Sequence, residues 1–314
     1  LRIGKTGLEL KLGRIVMPTP INCLHRFGFL GLAIVMNSLA SVTPAEAASA
    51  PVIGLFTDYG WDDPYVSQLK GVILTINPDA RILDLTHSAA PFNITEGAYL
   101  LDKCSEEFPA GTIFVAVVDP GVGTDRDPVL LETGKDKFFI GPDNGLFTRV
   151  LAREGFLRAW TLDKPELFRS GDTSRTFHGR DIFAPIAAHL AAGLDPDRLG
   201  TPLKTLVLLP DQEPSFSGGL IFAEVIHIDR FGNVILNVPS TGDLADKLKE
   251  GTLVKISMGR QSYSAPFVTT YADVDKGRLV LLYGSGGLLE ISMNQGSAAQ
   301  KLKVEPGTAI FLKP

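Results

Sequence analysis

Four polar clusters in this chain hold residues able to bind or activate a small molecule, and each adjoins an apolar run or a helical stretch. Thr57-Asp58-Tyr59-Gly60 ends the run Val52–Thr57. A carboxylate there can accept hydrogen bonds from two neighbouring hydroxyls, as in a ribose diol. Aspartate equally favours helix N-caps and Asx turns, and the segment alone does not choose. The second cluster runs from Val118 through Asp119-Pro120-Gly121-Val122-Gly123 to Arg126. Its glycines permit close backbone approach to a ligand, and Asp119 and Arg126 can meet as an ion pair across the turn. A surface turn with a solvated charge pair fits as well. No Lys-Ser/Thr follows and Pro120 removes a donor, which disfavours a nucleotide-phosphate cradle. Thr176-Phe177-His178-Gly179-Arg180-Asp181 puts a histidine on a loop, although a lone histidine is more often structural. The fourth cluster, Ile228-Asp229-Arg230-Phe231-Gly232-Asn233, has a later companion in Gly284-Ser285-Gly286-Gly287. Both read most simply as turns, yet the Asn233 amide has the donor and acceptor that a purine edge requires.

Several other chemistries are disfavoured. His25, His87, His178, His189 and His227 show no close ligand spacing and no cysteine pair joins them, which argues against a metal. A Gly-x-Ser-x-Gly elbow is missing, so serine-hydrolase chemistry lacks its nucleophile. The net charge is −5 with no basic block, which makes nucleic acid a poor partner.

The elements that must position these residues are legible as periodicity. Apolar runs at Val52–Thr57, Arg81–Leu85, Thr112–Val118 and Phe138–Ile140 alternate with helical spacing over Tyr65–Leu74, Ile94–Cys104, Leu146–Arg153 and Asp181–Ala192. Such alternation predicts an α/β domain with a mostly parallel sheet over 51–212. After a linker near Pro214, short Val/Ile/Leu runs at Leu220–Asp229, Asn233–Asn237, Thr252–Ser257, Arg278–Tyr283, Leu288–Met293 and Thr308–Leu312 predict a barrel-like β domain over 213–314. Only Asp243–Glu250 reads as helix there.

Residues 1–50 read as an upstream extension and a secretory signal peptide. Met17, the basic His25-Arg26, an apolar run from Phe27 to about Leu39, and the small-x-small triplets ending at Ala47 and Ala50 follow the expected order. The apolar run is too short to span a bilayer comfortably, so no stable membrane span is expected after signal removal. Export to the periplasm or beyond is the expectation. Residues 1–50 carry a charge of +3, which leaves −8 on residues 51–314 against −5 for the whole chain. Cys104 is then the one remaining cysteine, so no intramolecular disulfide is available.

The clusters occur with Asp84-Leu-Thr-His-Ser88 and Gly141-Pro-Asp-Asn-Gly145 in an order that resembles the S-adenosyl-L-methionine (SAM) hydroxide adenosyltransferases, the water-using relatives of the fluorinase and chlorinase. The resemblance covers about Pro51 to the C-terminus. It implies an N-terminal α/β domain and a C-terminal β-barrel in a homotrimer, with substrate held between one subunit's α/β domain and its neighbour's β domain. It further implies that Asp58 holds the ribose hydroxyls and Phe92 packs on the sugar. Asp229 would meet the methionine ammonium and Ser285 its carboxylate. Asn233 would read the adenine edge with backbone near Asn294 and Gln295, and Asp119, Arg126 and His178 would handle the attacking water.

The implied reaction is hydrolysis of SAM to adenosine and L-methionine by water attack at C5′, with no metal or organic cofactor. The sequence departs from the fluorinase at Gly286, where that enzyme has an arginine after the matching serine. A halide-using transferase is the alternative within the class. Its members have tyrosine at the position of Asp119 and a long insertion between Phe92 and Asp119, neither of which occurs here. Outside the class, an exported adenosine- or methionine-binding protein without catalysis would use Asp58, Asn233 and Asp229 but would not need the trio.

Overall fold

The computed structural model describes residues 51–210 and 213–314. The signal-like segment and its cleavage sites therefore lie outside the described residues, and the expected domain boundary at 212/213 falls at their edge. The first half contains β1 (Val52–Thr57), α1 (Tyr65–Ile76), β2 (Arg81–Thr86), α2 (Ile94–Ser105) and β3 (Ile113–Val117). It continues through β4 (Pro128–Thr133), β5 (Phe138–Pro142), α3 (Thr148–Glu154), β6 (Phe156–Thr161), α4 (Ala184–Ala191) and β7 (Thr201–Leu203). These strands form one sheet in the order β2-β1-β3-β5-β4-β6-β7. β1, β2, β3 and β5 pair in parallel. β4 is antiparallel to β5 and β6, and β7 to β6, so five of the seven strands share a direction.

β3 explains why the central strands read as unbroken apolar runs. Ile113, Val115 and Val117 face the core shared with α1 and α4, while Phe114, Ala116 and Val118 face the one shared with α2 and Phe147. A strand covered on both faces has no polar side to show. The unanticipated β4 and β6 are different, since Glu132 and Arg158 form a cross-strand ion pair at 2.7 Å that lets charge sit in a strand.

The helix expected over 181–192 divides in two. It opens with one wide π turn at Gly179–Phe183, closed by the Ala184 N–H donating to the Gly179 carbonyl, and α4 follows. Single π turns of this kind often mark functional positions.

The second half contains β8 (Ser215–Ser217), β9 (Leu220–Ile228), β10 (Val234–Pro239), β11 (Leu253–Met258) and β12 (Gln261–Pro266). β13 (Leu279–Tyr283), β14 (Leu288–Met293), α5 (Ala298–Leu302) and β15 (Ala309–Lys313) complete it. The antiparallel order is β12-β11-β15-β9-β10-β14-β13, with β8 beside β9. Phe267 bridges Leu281 just past β12, and the Val268 N–H donates to the Leu281 carbonyl at 2.9 Å, so the sheet nearly closes around a Val, Ile and Leu core. The helix expected over Asp243–Glu250 is only a 3-10 turn at Ala245–Lys247. Gly242 and Gly251 bracket it with positive φ, and the intervening stretch is too short to sustain a helix by itself. Neither β12 nor α5 was anticipated.

The halves meet where Tyr99 of α2 packs on Ile226 and Ile235, beside a 2.5 Å contact between His227 Nδ1 and Glu96 Oε1. Among the described residues no helix is long and apolar enough to cross a membrane.

Candidate active site

The chain leaves β1 towards β2 on one side, while β3 lies on the other. In open α/β sheets that reversal opens a crevice at the carboxyl ends of the two strands. Asp58 and Asp119 emerge there, and the Asp58 N–H donates to the Val117 carbonyl at 3.3 Å. A cleft of about 340 Å³ opens between them, lined by Asp58, Tyr59, Phe92, Asp119, Thr176 and His178 among others. All of its lining residues come from positions 58–179.

Asp119, Arg126 and His178 form one connected unit. Arg126 donates from Nε to Asp119 Oδ1 at 3.0 Å and from Nη2 to Oδ2 at 2.5 Å, a bidentate fork. Nη2 also donates to His178 Nδ1 at 2.7 Å. Arginine has no acceptor, so Nδ1 is unprotonated and the ring proton sits on Nε2. Burial and then the Arg126 charge hold His178 below the ordinary imidazole value, so the ring is neutral at neutral pH. The Asp119 and Arg126 side chains are 5% and 9% exposed, and Arg126 Nη1 is buried without a partner among the described residues. Gly123 lets the two loops touch: its φ is +80°, and a β-carbon there would run into the Arg175 carbonyl.

Asp58 Oδ2 accepts the Phe92 N–H at 3.0 Å, and its pKa is raised, chiefly by burial and less by the nearby Asp119 charge. Phe92 has φ +66° and is 72% exposed. Gln295, at the end of β14, has φ +53°. Strained non-glycine backbone concentrates at ligand sites, and two of the sequence-selected residues carry it.

The second-half residues lie away from this cleft in two groups. Asp229 and Asn233 form the β9–β10 turn, in which Asp229 Oδ1 accepts from the backbone of Phe231 and Asn233 and Oδ2 from Asn233 Nδ2. Asn294 and Gln295 follow β14 at the same end, and Asn294 Nδ2 donates to the Val274 carbonyl at 2.7 Å. Ser285 sits in the β13–β14 turn at the opposite end of β14.

Sequence reasoning missed two residues here. Tyr59 is a half-buried cleft residue packed edge-on against Tyr65 and Phe177 at 5.7 and 5.8 Å, and desolvation pushes its phenol up. Glu290 accepts from Tyr271 Oη at 3.0 Å, and burial, with Asp229 adding, raises its carboxyl. The available signal was an acid inside a mostly apolar run, Leu288–Met293.

The arrangement defines an α/β sheet with a polar strand-end crevice, joined to a barrel-like β domain. Residues 53–200 match the SAM hydroxide adenosyltransferase N-terminal domain and residues 223–311 its C-terminal domain, and the chain belongs to that family. It is 37% identical to a Thermus thermophilus protein named (R)-S-adenosyl-L-methionine hydrolase, over 82% of this chain and 97% of that one. A fluorinase of Nocardia brasiliensis is 28% identical over 84% of this chain and 97% of its own. A crystal structure of an uncharacterized conserved protein from Thermotoga maritima superposes with a TM-score of 0.79 at 39% identity, covering 84% of this chain and all of that one.

Proposed function

We propose that this protein hydrolyses SAM to adenosine and L-methionine, with water attacking C5′. The observation that carries the reading is the hydrogen-bonded, half-buried Asp119–Arg126–His178 unit at the cleft wall. Family members 35–39% identical over most of the chain carry the name of that activity, which supports it.

The sulfonium is already a good leaving group, so the protein's task is to aim a water in line with the C5′–S bond. Holding the reactants at near-attack distance is worth about 7–11 kcal/mol. In this scheme His178 Nε2–H donates to the water oxygen, and Asp119 accepts one of its protons. Arg126 keeps both groups in place and offsets the carboxylate charge. As the C5′–O bond forms, the C5′–S electron pair returns to sulfur and leaves neutral methionine, while the lost proton passes through Asp119 to solvent. Asp58 is the acceptor for the ribose diol. No metal or organic cofactor is needed for a displacement of this kind.

Assembly and export are part of the same proposal. The cleft is lined from one half of the chain only, and Phe92 and Phe231 are 72% and 77% exposed. A second copy's β domain would cover the cleft and bring Asp229, Asn233, Ser285 and Gln295 to the substrate, in the trimer expected from the resemblance. Light scattering tests this, and a monodisperse monomer with full turnover overturns it. Export rests on the composition of residues 17–50 and is tested by intact mass after bacterial expression. Retention of Met17 on a cytoplasmic product overturns it.

The deciding experiment is turnover of SAM in oxygen-18 water, with label expected in the adenosine 5′-hydroxyl and no halogenated nucleoside on adding chloride or fluoride. His178→Ala should keep adenosine binding and lose most turnover. A parent protein that binds adenosine without releasing it from SAM would instead be a binding protein.

A further inference from the structure

A second polar relay, buried at Thr57 and His87 and exposed at Asp84, adjoins the turn that carries Asp58 and Tyr59. Lys70 Nζ donates to Asp84 Oδ2 at 2.6 Å, and His87 Nε2 meets Asp84 Oδ1 at 2.9 Å. Thr57 Oγ1 meets His87 Nδ1 at 2.8 Å and accepts the Tyr59 N–H at 3.2 Å, while the His87 carbonyl accepts the Gly60 N–H at 2.7 Å. Thr57 and His87 are fully buried, and the Trp61 ring stands edge-on to the imidazole at 4.6 Å.

The direction of each bond follows from Asp84. Burial raises its carboxyl, but hydrogen bonds from His87 and Lys70 outweigh burial and hold it below the ordinary value. Asp84 is therefore an acceptor and His87 Nε2 a donor, and His87 Nδ1 pairs with the Thr57 hydroxyl. The bonded groups run in one line from the Tyr59 amide through Thr57 and His87 to Asp84. A threonine, histidine and aspartate in sequence also suggest a nucleophile triad, but Thr57 has no exposed surface and cannot reach a substrate.

The relay can act only through its neighbours, and those neighbours are the cleft. The Thr57–Gly60 turn carries Asp58 and Tyr59. The Tyr59 hydroxyl lies directly under Gly179, the residue after His178. We propose that Thr57 and His87 are positioning residues, which fix this turn so that Asp58 is presented to the substrate's sugar and Tyr59 supports the loop carrying His178. This rests on the reading that the cleft binds the adenosyl group.

The test is adenosine affinity by calorimetry, with SAM turnover alongside. Thr57→Val keeps the side-chain shape and removes only the hydroxyl, so adenosine should bind about tenfold more weakly in a protein that is still folded by circular dichroism. Thr57→Ser keeps the hydroxyl and should stay within about threefold of the parent. Asp84→Ala, on the exposed edge strand β2, is the second variant should Thr57→Val not fold. It frees the imidazole and should weaken binding by about threefold or more. A parent that binds and turns over, with Thr57→Val and Asp84→Ala both within twofold of it, overturns the positioning role and leaves the functional reading standing. A parent that does not bind adenosine overturns the functional reading, and this proposal with it.

Discussion

Gly179→Ala adds one methyl group at the most crowded point of the site. Gly179 opens the π turn after His178, and its φ is not in the left-handed region. On propensity alone, alanine in a helical turn should stabilise the chain by about 0.5–1 kcal/mol. The surroundings reverse that sign. A β-carbon there would lie 2.5 Å from Tyr59 Oη and 3.5 Å from the Phe177 ring, against roughly 3.4 Å for an ordinary carbon–oxygen contact. About 0.9 Å must be found. The half-buried Tyr59 ring is held edge-on between Tyr65 and Phe177, so either its turn moves, carrying Asp58, or the π turn moves, carrying His178. Overpacking of this kind costs about 1–3 kcal/mol, which exceeds the propensity gain. A net loss of about 1–2 kcal/mol should lower the melting temperature by about 2–8 °C for a unit of this size. A displacement near 1 Å within the reacting constellation should lower kcat/KM by about a hundredfold. Thermal unfolding and steady-state hydrolysis read the two effects separately. Tyr59→Phe removes the clashing oxygen, so the double variant Gly179→Ala/Tyr59→Phe should regain most of the stability. A Gly179→Ala protein at least as stable as the parent, with unchanged kcat/KM, refutes the reasoning.

Three further outcomes are expected. Arg126→Lys can keep at most part of the fork and of the contact to His178, so kcat should fall at least tenfold with adenosine affinity nearly unchanged; equal kcat removes Arg126 from the chemistry. Asp58→Ala should weaken adenosine binding by about 1.5–3 kcal/mol and methionine binding far less, as calorimetry will show. In the proposed scheme His178 acts as the neutral ring, and its folded-state pKa is depressed, so hydrolysis should be flat near neutrality and fall only at pH values below the ordinary imidazole value of 6.5. The stability that this depressed pKa supplies is likewise present above 6.5 and lost as pH falls through the folded-state value, and an acidic limb of activity starting above pH 7 would contradict the assignment.

How far the sequence reaches depends on what holds each element. β1 and β3 announce themselves because a strand buried on both faces must be apolar over most of its length, and β14 because Leu289 and Ile291 alternate with half-buried positions. β4 and β12 do not, because Glu132 is answered by Arg158 on another strand and β12 is an exposed, polar strand beside β11. Local periodicity holds no record of a partner many residues away. The short segment at Asp243–Glu250 fails in the opposite direction, since its composition suits a helix but the bracketing glycines leave no room for one.

The site divides along the same line. Strand ends at a sheet reversal are where ligands bind, so Asp58 and Asp119 could be selected once β1 and β3 were placed. Whether such an aspartate serves a ligand or merely caps its own turn depends on what occupies its oxygens, and the two halves of the chain give different answers. Asp119 spends both oxygens on Arg126, which is itself shared with His178, so its partners are the other members of the proposed reacting unit. Asp229 spends its oxygens on its own turn, through Phe231 and Asn233. Its negative charge is nonetheless felt at Glu290, one strand away, where it helps to raise the carboxyl. A half-buried carboxyl raised by a neighbouring negative charge is relieved by a cation placed between the two. A substrate ammonium is such a cation, and binding it should release any proton that Glu290 holds. Methionine binding measured in two buffers of different ionisation enthalpy should then show proton release at mildly acidic pH, and its absence would assign Glu290 to Tyr271 and Ser292 alone.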